Sequence, residues 1–188
     1  MTPHDQLLQM LATRSVRRGS FTLSSGRHSS LYVDARLTTM SPDGLATIGP
    51  LGFEALRQAG WDADSVGGLT LGADPISYAI AYASALAGSP LRSFTVRKEA
   101  KAYATGKLIE GPFQPGDRVV VIEDVITTGA SAQRACEVIR AAGGHVLGVF
   151  ALIDREEGGR ESLNANGISV LALARTSELV LLLPPEHA

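Results

Sequence analysis

The sequence predicts a single α/β domain: a mainly parallel central sheet flanked by helices on both faces, with a small N-terminal attachment. Apolar runs rich in valine and isoleucine, such as Val119–Ile122 and Val146–Ile153, alternate with stretches of helical period. These runs are apolar at nearly every position rather than every second one, as expected of strands buried on both faces. The chain has 188 residues, 45% hydrophobic and 19% charged, which suffices for one domain with a sizeable core and is unlike a disordered chain. No repeat, low-complexity tract or long linker divides residues 1–188.

Each element has a local reason. Leu7, Leu8 and Leu11 form the apolar side of a helix over residues 4–18. Phe21–Leu23 and Leu31–Val33 read as short strands around a Ser24-Ser25-Gly26 turn. A helix follows over 43–59, with Ser41 or Asp43 as its cap and Gly60 after its end. Strands are expected at Ser65–Leu69, Leu91–Val96, Arg118–Ile122, Val146–Ile153 and Ile168–Leu173. Helices are expected at Pro75–Ala87, Ala130–Ala142 and Ser177–Leu182.

A net charge of −2 leaves no global basic field for nucleic acid or a membrane surface. Cys136 is the single cysteine, so no internal disulfide forms, and its place on an apolar helical stripe marks it as a core residue. The N-terminal Met-Thr-Pro-His lacks a signal-peptide profile, and the longest apolar runs are too short to span a bilayer. A cytoplasmic protein is expected.

Residues 118–131 concentrate the chemistry. Val119–Ile122 ends in two acids, Glu123 and Asp124, and the polar loop Thr127-Thr128-Gly129 opens into the helical pattern Ala132, Ala135, Cys136, Ile139. Such a loop presents backbone N–H groups at a helix N-terminus, where unpaired donors and the dipole favour phosphate. Carboxylates at the entrance repel an anion, so they must answer to a metal, to ligand hydroxyls, or to positive charge that develops during a reaction. Neither GxxxxGK[ST] nor GxGxxG occurs.

Val66 to Ile76 repeats the design, with Gly67, Gly68 and Gly72 in the loop, Asp74 at the N-cap and Pro75 at the first helical position. Ligands of open parallel sheets collect beyond the carboxyl ends of strands, so two such loops suit a ligand with phosphate at both ends. Arg97, Lys98 and Lys101 follow the strand ending at Val96, and the aperiodic stretch beyond them suits a lid, at about residues 97–113, that closes over a polyanion. No His/Cys cluster points to a transition metal.

The strand, acid pair and Thr-Thr-Gly loop resemble the phosphoribosyl-diphosphate (PRPP) motif of type I phosphoribosyltransferases. The resemblance implies that family's single-domain fold, with residues 1–40 as an N-terminal hood over the base. Phe94-Thr-Val-Arg-Lys-Glu-Ala-Lys101 with Leu108-Ile-Glu-Gly111 resembles the lid of orotate phosphoribosyltransferases. Phe21 to Arg27 and Ser30 to Asp34 resemble their hairpin over the pyrimidine, and Leu152-Ile-Asp-Arg155 their Asp-Arg segment. Nearly the whole chain is covered.

What the resemblance implies is transfer of the phosphoribosyl group of PRPP to N1 of orotate, with Mg²⁺ as cofactor, in a homodimer serving pyrimidine synthesis. It assigns the 5-phosphate to Val125, Ile126, Thr127, Thr128, Gly129, Ala130 and Ser131. The diphosphate goes to Thr70, Leu71 and Gly72, with Thr70–Leu71 as a candidate cis bond. Arg97, Lys101 and Tyr103 also contact PRPP, while Lys98 reaches the neighbouring subunit's site. Glu123 and Asp124 address the ribose, and Asp124 and Lys101 are the catalytic pair. Thr127, Arg155 and Tyr32 hold orotate, Arg155 by a bidentate fork on its carboxylate. Adjacent acids on a strand point to opposite sides, and Asp124 is expected to face the ligand more directly.

The chain departs from the family pattern at Ser24 and Gly72, where lysines are common, and at Ala102-Tyr103-Ala104, where Asp-His-Gly is common. A transferase for another nucleobase and a non-catalytic PRPP-sensing regulator are the competing readings. Purines offer Arg155 no carboxylate, and a regulator that binds nucleic acid needs a basic surface.

Overall fold

The computed structural model describes residues 1–22, 28–99 and 107–183. Helix α1 (Pro3–Met10) starts in a reciprocal box between Thr2 and Asp5, and a π turn over Leu11–Ser15 follows it. The chain then enters strand β1 (Val16–Thr22), paired antiparallel with β2 (His28–Val33). The helix expected over 4–18 therefore ends early: Val16 sits opposite Val33 and Arg17 opposite Tyr32, so ladder pairing overrides the helical reading. Both strands also run longer than expected, and the turn between them lies outside the described residues.

A short helix α2 (Arg36–Thr39) leads into α3 (Pro42–Gln58), capped by Ser41, whose Oγ accepts from the Gly44 N–H at 3.2 Å. Then come β3 (Ser65–Leu69), α4 (Ala73–Leu86), β4 (Arg92–Val96), β5 (Ile109–Glu110) and β6 (Arg118–Ile126). The chain continues through α5 (Ala130–Ala141), β7 (His145–Asp154), α6 (Gly159–Ala165), β8 (Val170–Arg175) and α7 (Thr176–Leu181). The six-stranded sheet has the order β5-β4-β3-β6-β7-β8, parallel except for β5, which pairs antiparallel with β4 at one edge.

Alternate residues of the central strands feed two cores. Val120, Ile122, Phe150 and Leu152 pack with Leu7, Ile48, Ile76 and Ile80 from α1, α3 and α4. Val119, Val121, Val149 and Ala151 pack with Ala132, Cys136, Ile139 and Leu163 from α5 and α6. Burial pushes the Cys136 thiol up to about 11, as befits a core cysteine.

Three expectations are corrected. Strand β6 does not stop at Ile122 but pairs with β7 through the acids as far as Ile126 opposite Asp154. Strand β8 is set later than Ile168–Leu173, with buried Ile168 packed beneath α5 before the strand begins. Helix α6, which the glycines and polar residues at 158–164 concealed, buries Leu163 against the sheet.

Candidate active site

Adjacent parallel strands β4, β3, β6 and β7 end at one rim, where their loops and the β2 end enclose a cleft of about 380 Å³. Its walls carry Thr70, Leu71 and Gly72 after β3, Lys98 after β4, Glu123, Asp124, Val125, Thr127 and Ser131 around the β6 end, and Arg155 after β7. Tyr32 closes the hairpin side, packed on Phe21 with ring centroids 5.4 Å apart.

The two acids sit side by side near the end of the extended β6, the Asp124 side chain within hydrogen-bonding reach of the Glu123 carboxyl. Glu123 shares the face of Val119 and Val121, is 7% exposed, and leaves Oε2 without a hydrogen-bond partner among the described residues. Burial, and then the charge of Asp124, hold its carboxyl well above the usual carboxylate range. Asp124 is half-buried, with Oδ1 accepting from the Val125 N–H at 2.9 Å. A Cβ built on Gly72 would overlap this carboxylate, so the β3 loop passes against Asp124 only because residue 72 has no side chain.

The Thr70–Leu71 peptide is cis, at the position expected for it. Thr70 N–H donates to the Val96 carbonyl at 2.8 Å, and its Oγ1 donates to Asp74 Oδ2 at 2.7 Å. Asp74 is not the N-cap that its spacing suggested, because α4 begins at Ala73 with Gly72 as cap. The Asp74 carboxylate instead accepts hydroxyl bonds from Thr70 and, at 2.8 Å, from Thr95 on β4.

After β6, Gly129 adopts φ 81° as the cap of α5. A Cβ there would lie 3.0 Å from the Gly159 carbonyl and 3.1 Å from Leu163 Cγ, so α6 buttresses the phosphate-type loop from behind. The first amides of α5 thus point from a fixed turn. Thr128 and Ala130 are exposed beside the cleft, whereas Ile126 is buried in the core beneath α5.

Arg97 lies at the lid root rather than in the cleft wall. Its N–H donates to the Leu108 carbonyl at 2.8 Å, and its guanidinium pairs with Glu110 at 3.6 Å. The Lys98 carbonyl accepts from Arg134 of α5. Lys101, Tyr103, Ser24 and Ala102–Ala104 lie outside the described residues. Arg36, in the cleft wall and paired with Asp34 at 2.8 Å, was missed. The only available signal was its place two residues beyond the hairpin segment ending at Asp34.

Arg155 is 8% exposed, its backbone N–H continuing the ladder to the Ile126 carbonyl at 2.9 Å. Asp154 anchors the turn beyond, accepting from Arg160 Nε at 2.7 Å and from the Glu156 N–H at 2.9 Å. Among the described residues, no helix is long and apolar enough to cross a membrane.

A parallel sheet with anion-type loops at one rim and an acid pair between them is the arrangement of the type I phosphoribosyltransferase class. Adenine phosphoribosyltransferase from Leishmania tarentolae shares the fold at a TM-score of 0.65 and 16% identity, over 96% of this chain and 89% of that one. Orotate phosphoribosyltransferase from Aquifex aeolicus is 44% identical over 96% of this chain and 99% of its own. The Mycobacterium tuberculosis H37Rv orotate phosphoribosyltransferase, solved in complex with PRPP, is 38% identical at a TM-score of 0.79, covering 95% of this chain and 99% of that chain. No protein-family model matches. The chain belongs to the orotate phosphoribosyltransferase family.

Proposed function

We propose that this protein transfers the phosphoribosyl group of PRPP to N1 of orotate, giving orotidine 5'-phosphate and diphosphate for pyrimidine synthesis in the cytoplasm. The observation that carries this reading is the meeting of both anion-type loops, the acid pair and the buried Arg155 in one cleft. In this reading the Thr127–Ser131 loop holds the 5-phosphate and the Thr70–Gly72 loop the diphosphate. Arg155 pairs the base carboxylate, and Thr127 and Tyr32 flank the ring.

Orotate, with its N1 proton lost, attacks C1 of the ribose through N1 as the bond from C1 to the diphosphate oxygen breaks, its electron pair leaving on diphosphate and that carbon inverting. Positive charge grows on the ribose ring, and Asp124 offers the nearest fixed negative charge, with Glu123 behind it. Lys101 and Arg97 neutralise the departing diphosphate. Oxygen donors such as Asp124 suit Mg²⁺, a hard cation that keeps most of its ligands as water and phosphate oxygens and would neutralise diphosphate charge. The family resemblance adds a homodimer in which Lys98 serves the neighbouring site, whereas in the single chain Lys98 lines its own cleft.

Diphosphate release in the presence of Mg²⁺ and PRPP tests the proposal. Turnover is expected with orotate and not with purines. Turnover with a purine alone overturns the base assignment, and none with any base supports a PRPP-sensing regulator instead.

A further inference from the structure

Among the described residues, the cleft wall carries the cations Arg36, Lys98 and Arg155. Arg155 is taken by the base carboxylate, and the family resemblance sends Lys98 to the neighbouring site. Arg36 has no task in the reaction as described above. The loop assigned to diphosphate, meanwhile, brings no positive charge of its own. Thr70 spends its hydroxyl on Asp74 at 2.7 Å, and Leu71 and Gly72 have no donor side chains. A diphosphate held there by backbone amides, beside the Asp124 carboxylate, lacks a fixed counter-charge.

The Arg36 guanidinium is tied along one edge. Asp34 Oδ1 accepts from its Nε at 2.8 Å and from its backbone N–H at 3.2 Å, and Oδ2 accepts from Nη2 at 3.0 Å. That fork uses Nε and Nη2; Nη1 has no hydrogen bond among the described residues, and the side chain is 49% exposed. The remaining Nη1/Nη2 edge suits two phosphate oxygens at once. Asp34, by hydrogen bond and then by charge, holds the guanidinium above its usual pKa, and the more distant charge of Asp124 adds to this. Arg36 therefore stands toward Asp124, the same carboxylate against which the Gly72 backbone packs.

We propose that Arg36 is a further donor-binding residue, which grips the diphosphate of PRPP with its open edge while Asp34 positions it. This role rests on the reading of the Thr70–Gly72 loop as the diphosphate site. An exposed Asp–Arg pair contributes little to stability, so its place in the cleft wall, not its strength, gives it meaning. The loop supplies amides and Arg36 supplies charge.

Calorimetric binding to Arg36→Gln tests this, with PRPP, inorganic diphosphate and ribose 5-phosphate as probes in the presence of Mg²⁺. Kd for PRPP and for diphosphate should each rise about 10-fold, the loss of one charge-assisted contact. Ribose 5-phosphate, which lacks the diphosphate, should bind as it does to the parent. Arg36→Lys keeps the charge but not the planar fork, and should recover part of the loss. Equal affinity of parent and Arg36→Gln for diphosphate overturns the proposal. So does weakening of all three probes alike together with a lowered unfolding temperature, since that marks a structural role beside the hairpin. If the parent protein itself binds neither PRPP nor diphosphate, the reading of the loops fails and takes the proposal with it.

Discussion

The loop assigned to diphosphate is latched from below by Asp74, and removing that carboxylate is the most informative single perturbation. Its two oxygens accept from Thr70 Oγ1 at 2.7 Å and Thr95 Oγ1 at 2.8 Å, and Thr95 shares a further bond with the Tyr78 hydroxyl at 2.9 Å. The carboxylate thus ties the β3 loop to the end of β4, from which Arg97 and Lys98 emerge. Hydrogen bonds to a charged acceptor contribute about 1.5–3 kcal/mol each, so two at the lower end give about 3 kcal/mol. Asp74 is 8% exposed, and releasing its desolvation cost returns part of this, leaving about 2 kcal/mol for Asp74→Ala. In a chain of this size that corresponds to a fall of about 4–8 °C in unfolding temperature.

Calorimetry and steady-state kinetics check the two halves separately. Asp74→Ala should raise KM for PRPP about 10-fold, the cost of a loop that must be ordered by the ligand, while KM for orotate holds. Thr70→Val, which cuts only the loop side of the latch, should reproduce most of the PRPP effect with less of the thermal one. A normal PRPP affinity in an Asp74→Ala protein that has lost the expected stability would refute the reasoning, because the loop would then hold its shape without the latch.

Gly72→Ala places a methyl group in the space of the Asp124 carboxylate; moving a reacting-centre group by about an ångström is expected to lower kcat about 100-fold, and wild-type turnover at saturating PRPP would show that Asp124 acts elsewhere. Glu123 has a folded-state pKa raised by burial above its usual 4.5, so its contribution to stability is fully present below that value and is lost as pH rises through the folded value. Glu123→Gln should therefore be more stable than the parent at about pH 8 but not at about pH 4, and urea midpoints that differ equally at both pH values would contradict the assignment.

The parallel sheet was legible because its strands are apolar at successive positions, a pattern that survives without knowledge of neighbours. Boundaries failed where tertiary pairing overrode local pattern. Arg17 and Arg18 belong to a helical-looking run, yet their partners Tyr32 and Leu31 make them a strand. The site loops were legible for a similar reason, since each strand–loop–helix is local in the chain. Connections across the rim were not. Asp74 looked like a cap because its second partner, Thr95, is 21 residues away, and nothing near Arg155 announces Ser29, 126 residues earlier. Spacing reveals which groups share an element, but only packing reveals which share a hydrogen bond.

The acid pair shows how far that distinction reaches into chemistry. Two carboxylates beside an anion loop look like a single repulsive patch as long as the strand ends before them. β6 continues to Ile126, so alternation starts the two side chains from opposite faces, yet both reach the one cleft and the Asp124 side chain stands within hydrogen-bonding reach of the buried Glu123 carboxyl. Burial, and then the charge of Asp124, raise the Glu123 pKa, so the fold works against a full second negative charge beside the phosphate loop. Asp124, half-buried against Gly72, lines the cleft beside Glu123 and is the more exposed of the two carboxylates. The acid best placed to answer positive charge on a ribose is the one whose neighbour at residue 72 lacks a side chain.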